Sequence, residues 1–172
     1  MNIKAVIGLG NPGPEYENTF HNAGRMFVLT LANGTDFQKE KGFEYANAGS
    51  FYLILPNSNM NESGIAVKDA AKKFKIKPEE ILTAQDDSDI ALGEYKLSFG
   101  KNSAGHKGVE SIIKSLGTKN FYRLRFGIRA KTGKAGEFVL RQIGKKEAEA
   151  LRGAFYGAKE SVIEKLKPPG MG

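Results

Sequence analysis

The sequence has no cysteine and only two histidines, His21 and His106, in 172 residues. Without cysteine, disulfide frameworks, zinc ribbons and thiol nucleophiles are excluded. The two histidines lack paired-ligand spacing, so no metal site is expected. No apolar run approaches the roughly 18–20 residues of a membrane span. Met1 to Gly10 lacks the basic-then-apolar layout of a signal peptide, which leaves the cytoplasm as the expected location. Acidic residues are scarce in one stretch. Lys96 to Lys146 holds 13 basic and 2 acidic residues, whereas Met1 to Tyr95 holds 9 basic and 13 acidic. A basic block on an acidic scaffold points to a polyanionic partner. The ordinary alternative is a solvated lysine-rich surface.

Hydrophobic residues at 40% and charged residues at 26% make a globular balance, and the length suits one domain with its own core. With no repeats and no internal linker, residues 1–172 read as a single domain, with about 167–172 a flexible tail after Lys167-Pro168-Pro169-Gly170. Asn2 to Leu9 reads as a buried strand and Ala23 to Ala32 as a helix stopped near Asn33-Gly34. Phe43 to Pro56 reads as two short strands. Asn61 to Phe74 reads as an amphipathic helix with a lysine-rich outer side. Ile81 to Ala84, Tyr95 to Phe99 and Phe121 to Arg129 read as strands, and Val109 to Leu116 and Lys145 to Leu166 as helices. This alternation favours an α/β sandwich around a mixed sheet.

Gly8-Leu9-Gly10-Asn11-Pro12-Gly13 matches G-x-G-x-x-G directly after a strand, as in dinucleotide-binding loops. Such a loop opens straight into a helix that holds the pyrophosphate. The residues here, Pro14-Glu15-Tyr16-Glu17-Asn18, are loop-like, and no acid-tipped strand follows at the required distance. A Walker A loop is absent.

His21 lies in a polar loop with Asn11, Tyr16 and Asn22. A lone histidine is more often structural than catalytic. Asp86-Asp87-Ser88-Asp89, however, follows the Ile81 strand, where α/β proteins place site residues. A carboxylate beside an imidazole fixes its tautomer and stabilises its cation; read without partners, the same four residues are an exposed acidic turn. No G-x-S-x-G elbow offers a serine nucleophile, which leaves water activated by histidine. Asn57, Asn59 and Asn61 form a polar cluster able to donate to an oxyanion or simply to cap a helix. Gly105-His106-Lys107-Gly108 reads either as a phosphate-binding helix start or as a plain junction.

Taken in order, these segments resemble the bacterial-type peptidyl-tRNA hydrolase family. The resemblance is carried by Ile7 to Gly13 with Tyr16, Thr19, His21-Asn22 and Gly24; by Met60-Asn61-Glu62-Ser63-Gly64; by Asp86 to Asp89; and by Gly105 to Gly108 with Phe121 to Ile128. It implies a single-domain three-layer α/β/α sandwich with a mixed, mostly parallel sheet. It also implies hydrolysis of the ester between a peptide and the 3′ end of tRNA, with no cofactor and no metal. Carried over by position, His21 is the base, Asp86 orients it, and Asn11 binds the peptide side and helps reject unblocked aminoacyl-tRNA. Tyr16, Asn59, Asn61 and Lys107 line the substrate groove. Lys96, Lys101, Lys131 and Lys134, with Lys107, are candidate contacts to tRNA phosphates. The partner is peptidyl-tRNA, and a monomer is expected.

The chain departs from the family pattern at several places. Phe20 replaces an arginine, Asn59 a phenylalanine, Lys107 an asparagine and Arg141 a glycine, and Gln85 and Ser88 differ around the acidic segment. Lys107 turns a donor-and-acceptor amide into a donor-only cation. The competing readings are an RNA-binding module on the same fold with impaired catalysis, and a dinucleotide-dependent enzyme.

Overall fold

The computed structural model describes residues 1–129 and 139–166. Lys131 and Lys134, and the expected tail at 167–172, lie outside the described residues. Seven strands form one sheet: β1 (Ala5–Gly8), β2 (Gln38–Glu40), β3 (Phe43–Asn47), β4 (Tyr52–Pro56), β5 (Ile81–Ala91), β6 (Tyr95–Phe99) and β7 (Tyr122–Arg129). Their order is β2-β3-β4-β1-β5-β7-β6. β1 pairs in parallel with β4 and β5, and β5 with β7. Only β3 and β6 run against the rest, so the sheet is mixed and mostly parallel, as the resemblance implies.

Four described helices cover it: α1 (Ala23–Ala32), α2 (Ser63–Phe74), α3 (Lys107–Leu116) and α4 (Lys145–Ala158). α1 and α4 lie on one face. Phe27, Val28, Leu151 and Phe155 pack there on Val6, Leu82, Leu124 and Phe126. α2 and α3 cover the other face, where Val67, Ala70, Val109 and Ile112 meet Ala5, Ile7, Ile54 and Ile81. Burial on both faces explains why β1 is apolar at every position instead of alternating.

Two glycines bring α1 very close to the sheet. A Cβ on Gly24 would strike the Ala84 carbonyl of β5, and one on Gly8 would come within 2.7 Å of the Gly24 oxygen. Close backbone approach is the use of the Gly8-x-Gly10 spacing. The segment after Gly13 forms turns, and α1 starts only after a 3-10 turn at Phe20–Asn22. The dinucleotide reading required a helix directly after Gly13 and is excluded by that geometry.

Three expectations are corrected. β5 extends to Ala91, so Asp86 and Asp87 lie in a strand opposite Phe126 and Gly127 and not in an exposed turn. Aspartate disfavours strands, but both carboxylates have partners here and both residues are buried. The short polar edge strand β2, Gln38-Lys39-Glu40, has no apolar alternation to announce it. The last helix is regular only to Ala158; a π turn and a 3-10 turn then carry it to Leu166.

Candidate active site

The carboxyl ends of β1, β4 and β5 converge where the chain, having placed β4 on one side of β1, crosses to place β5 on the other. Ligand crevices form at such reversals. Three loops meet there and are tied together through Asn11. Its N–H donates to Asn22 Oδ1 at 2.8 Å, and Asn22 Nδ2 donates back to the Asn11 carbonyl at 2.9 Å. The Asn11 side-chain oxygen accepts the Met60 N–H at 2.8 Å. These bonds hold the loop after β1, the turn before α1 and the turn before α2 in one arrangement. The His21 N–H donates to the Val139 carbonyl at 2.7 Å, which fixes the backbone of the 3-10 turn that carries the imidazole.

Asp86, 4% exposed, is the centre of the site. His21 Nδ1 is 2.9 Å from each of its carboxylate oxygens. His106 Nε2 is 2.9 Å from Oδ1. The Val109 N–H points to His106 Nδ1 at 3.4 Å, making His106 the N-cap of α3. The partners assign the protons: His106 carries one on Nε2, and His21 carries one on Nδ1 and keeps Nε2 as a lone pair. Burial alone would lift the Asp86 carboxyl, but the charge and hydrogen bonds of His106 and His21 outweigh it and hold it well below the usual carboxylate range. Burial alone would lower His21, but the bond and charge of Asp86 prevail and raise it above the ordinary histidine value.

His21, Asp86, His106, Lys107, Arg123 and Val139 line one cavity of about 460 Å³. A groove of about 710 Å³ between α2 and α3 adjoins it, lined by Asn61, Ile65, Lys107 and Ser111 among others. Lys107 borders both. The donor atoms of His21, Asp86 and His106 all lie within 4.8 Å of one another, close enough for a metal ion, yet each nitrogen stands at direct hydrogen-bond distance from the carboxylate.

The structure therefore brings His21, Asp86 and Lys107 to one cavity; Asn61 lines the adjoining groove, and Asn11 is buried and lines neither. Tyr16 is half-buried and lines neither cavity. Asn59 is exposed, and its carbonyl accepts the Glu62 N–H at 2.9 Å. Lys96 lies exposed on β6 opposite Arg125, and Lys101 is exposed in the loop before α3. The contact of His106 with Asp86 is the feature of the site that sequence reasoning missed. The spacing of His106 from His21 carries no signal, and only the fold places it on Asp86. Two of the departures from the family pattern are neighbours in space: Arg141 lies over the ring of Phe20, 5.5 Å from its centroid. The same guanidinium pairs with Glu147 at 3.1 Å.

A family model described as peptidyl-tRNA hydrolase matches residues 5–168. A peptidyl-tRNA hydrolase of Marinobacter nauticus is 43% identical over 165 residues, covering 90% of this chain and 84% of that protein. One from Neisseria meningitidis is 48% identical over 134 residues, covering 73% and 70%. The crystal structure of peptidyl-tRNA hydrolase from Acinetobacter baumannii superposes with a TM-score of 0.87 at 34% identity, covering 96% of this chain and 89% of that one.

Proposed function

The chain belongs to the peptidyl-tRNA hydrolase family, and from that premise we propose that it hydrolyses the ester joining a peptide or N-blocked amino acid to the 3′ end of tRNA, with His21 as general base. The observation that carries this is one buried carboxylate bonded to His21 Nδ1 beside an open cavity. Nε2 takes a proton from water as the water oxygen attacks the ester carbonyl carbon. Asp86 stabilises the imidazolium that forms. When the tetrahedral intermediate collapses, the bond to the ribose oxygen breaks and His21 returns the proton to that oxygen. The products are a free carboxylic acid, which gives its proton to solvent to become the carboxylate, and tRNA.

Asn11 supplies selectivity through its geometry. Its amide oxygen accepts the Met60 N–H, which fixes the amide and leaves its NH₂ end as the donor for a substrate carbonyl. An N-acyl carbonyl accepts from it; a free α-ammonium is donor-only and leaves that NH₂ without an acceptor. Asn61 and Lys107 border the path to the reacting bond. Lys96 and Lys101 offer charge to tRNA phosphates. Beyond the carboxylate centre we read the chain as one domain acting as a cytoplasmic monomer. No helix among the described residues is long and apolar enough to cross a membrane. The impaired RNA-binding alternative has no observation in its favour.

The test is hydrolysis of N-acetyl-aminoacyl-tRNA against the unblocked ester, with His21→Ala alongside. Release from the blocked ester, lost in the variant and much slower on the unblocked form, is expected. Release that survives in His21→Ala overturns the assigned base. Binding of tRNA without release turns the reading to the RNA-binding alternative.

A further inference from the structure

We propose that Arg123 is a positioning residue of this hydrolase, clamping the two chain segments that hold His106 against Asp86. The inference rests on the reading above for its catalytic consequence, though not for its geometry. Arg123 lies on β7 and is only 1% exposed, yet it forms no ion pair among the described residues. A buried guanidinium is costly unless its donors are satisfied. This one spends them on oxygens of two segments. Nε donates to Gln85 Oε1 at 3.1 Å, and Gln85 is the residue before Asp86. Nη1 donates to the Asn102 carbonyl, with longer contacts of 3.5 Å to the carbonyls of Lys101 and Ser103.

The second segment leads directly into His106. The Ser103 carbonyl that Arg123 approaches also accepts the His106 N–H at 3.2 Å. Between them Ala104 sits at φ 52°, in the left-handed region that a residue with a side chain adopts only when its surroundings impose it. A loop strained in this way needs an anchor, and the planar fork of Arg123 is the group that reaches it. One side of the Asp86–His106 bond is thus held through Gln85 and the other through the carbonyls of residues 101–103. A lysine offers one compact ammonium with no rigid fork and cannot span both.

The primary test is the imidazole ¹H–¹⁵N spectrum of the whole protein. In the wild type, His106 should show a proton fixed on Nε2. In Arg123→Lys that signature should give way to exchange between the two tautomers while the melting curve stays cooperative. An unchanged His106 signature overturns the proposal. Hydrolysis of N-acetyl-aminoacyl-tRNA is the second readout. kcat is expected to fall by roughly 10- to 100-fold, as for an error of about 1 Å in placement, with KM within about twofold. In a His106→Asn background, Arg123→Lys should add less than about twofold, because its effect runs through a residue already removed. Equal losses in both backgrounds overturn the proposal. If Arg123→Lys does not fold, Gln85→Met removes one arm of the clamp, and an unaltered His106 signature there is equally fatal. A wild type that shows the signature but hydrolyses neither ester sinks the hydrolase reading and leaves the clamp standing.

Discussion

The rings of His21 and His106 stand 5.0 Å apart, centroid to centroid, tilted by 44°, and share one carboxylate. They share it unequally. His21 meets Asp86 through Nδ1, and His106 meets it through Nε2. His106 has its other nitrogen engaged with the backbone of α3. Of the two, His21 alone keeps a nitrogen for solvent or substrate, which suits it to the proposed role of base.

That arrangement sets the pH dependence. Asp86 raises His21 above the ordinary histidine value, about 6.5, and a base must be deprotonated to act. In the wild type, kcat/KM should therefore rise with pH along a limb centred above that value. Asp86→Asn removes the charge while leaving the burial that lowers His21, so the limb should move to lower pH. The maximum rate should fall by roughly 10²–10⁴-fold. A limb that stays in place would show that another group titrates.

His106 has two duties that substitution can separate. His106→Ala loses both the bond to Asp86 and the N-cap of α3, whereas His106→Asn keeps a good capping residue. Both should slow hydrolysis. Only the alanine variant should also lose about 0.5–2 kcal/mol of stability in urea titration. Equal stability of the two would remove the capping role.

The pairing of Phe20 with Arg141 is open to a swap. Phe20→Arg alone forces a second guanidinium into a fully buried position beside Arg141 and should lower the melting temperature. Adding Arg141→Gly should recover part of that loss. Arg141→Ala alone should cost about 0.5–2 kcal/mol, since it removes both the partly exposed cation–π contact and the pair with Glu147. Additive effects would show that the two residues are neighbours without being partners.

Lys96 and Lys101 are exposed on the basic side of the chain. If each meets one tRNA phosphate, replacing both with alanine should raise KM and leave kcat unchanged. It should also flatten the slope of log affinity against log salt by about 0.7–0.9 per contact. An unaltered slope assigns the tRNA body to another surface.

How much of this could be read beforehand differs by element. α1 was legible to the residue, because Asn33 adopts the left-handed stop that Asn-Gly announces. β1 and β7 were legible from apolar runs and alternation. β2 was not, since three polar edge residues have no pattern. The reach of β5 through Asp86 and Asp87 contradicts local propensity and depends on His21, His106 and Arg125, which lie elsewhere in the chain. His21 and Asp86 were found through resemblance, but their contact needs the fold. Arg123 alternates along β7 with Leu124, which belongs to the core, and nothing local distinguishes a solvated arginine from one that anchors a loop.

The contact between α1 and β5 bears on how finely the site is set. Gly24 follows His21 within the same turn of chain, and Ala84 precedes Asp86 by two residues; between Gly24 and Ala84 there is no room for a methyl group. The spacing of base and carboxylate is consequently gauged by main chain resting on main chain, with no rotamer in between to absorb error. A part machined to such a fit has no adjustment screw. Whatever shifts α1 by the width of one carbon misaligns the proton transfer, even though every group that performs it is still present.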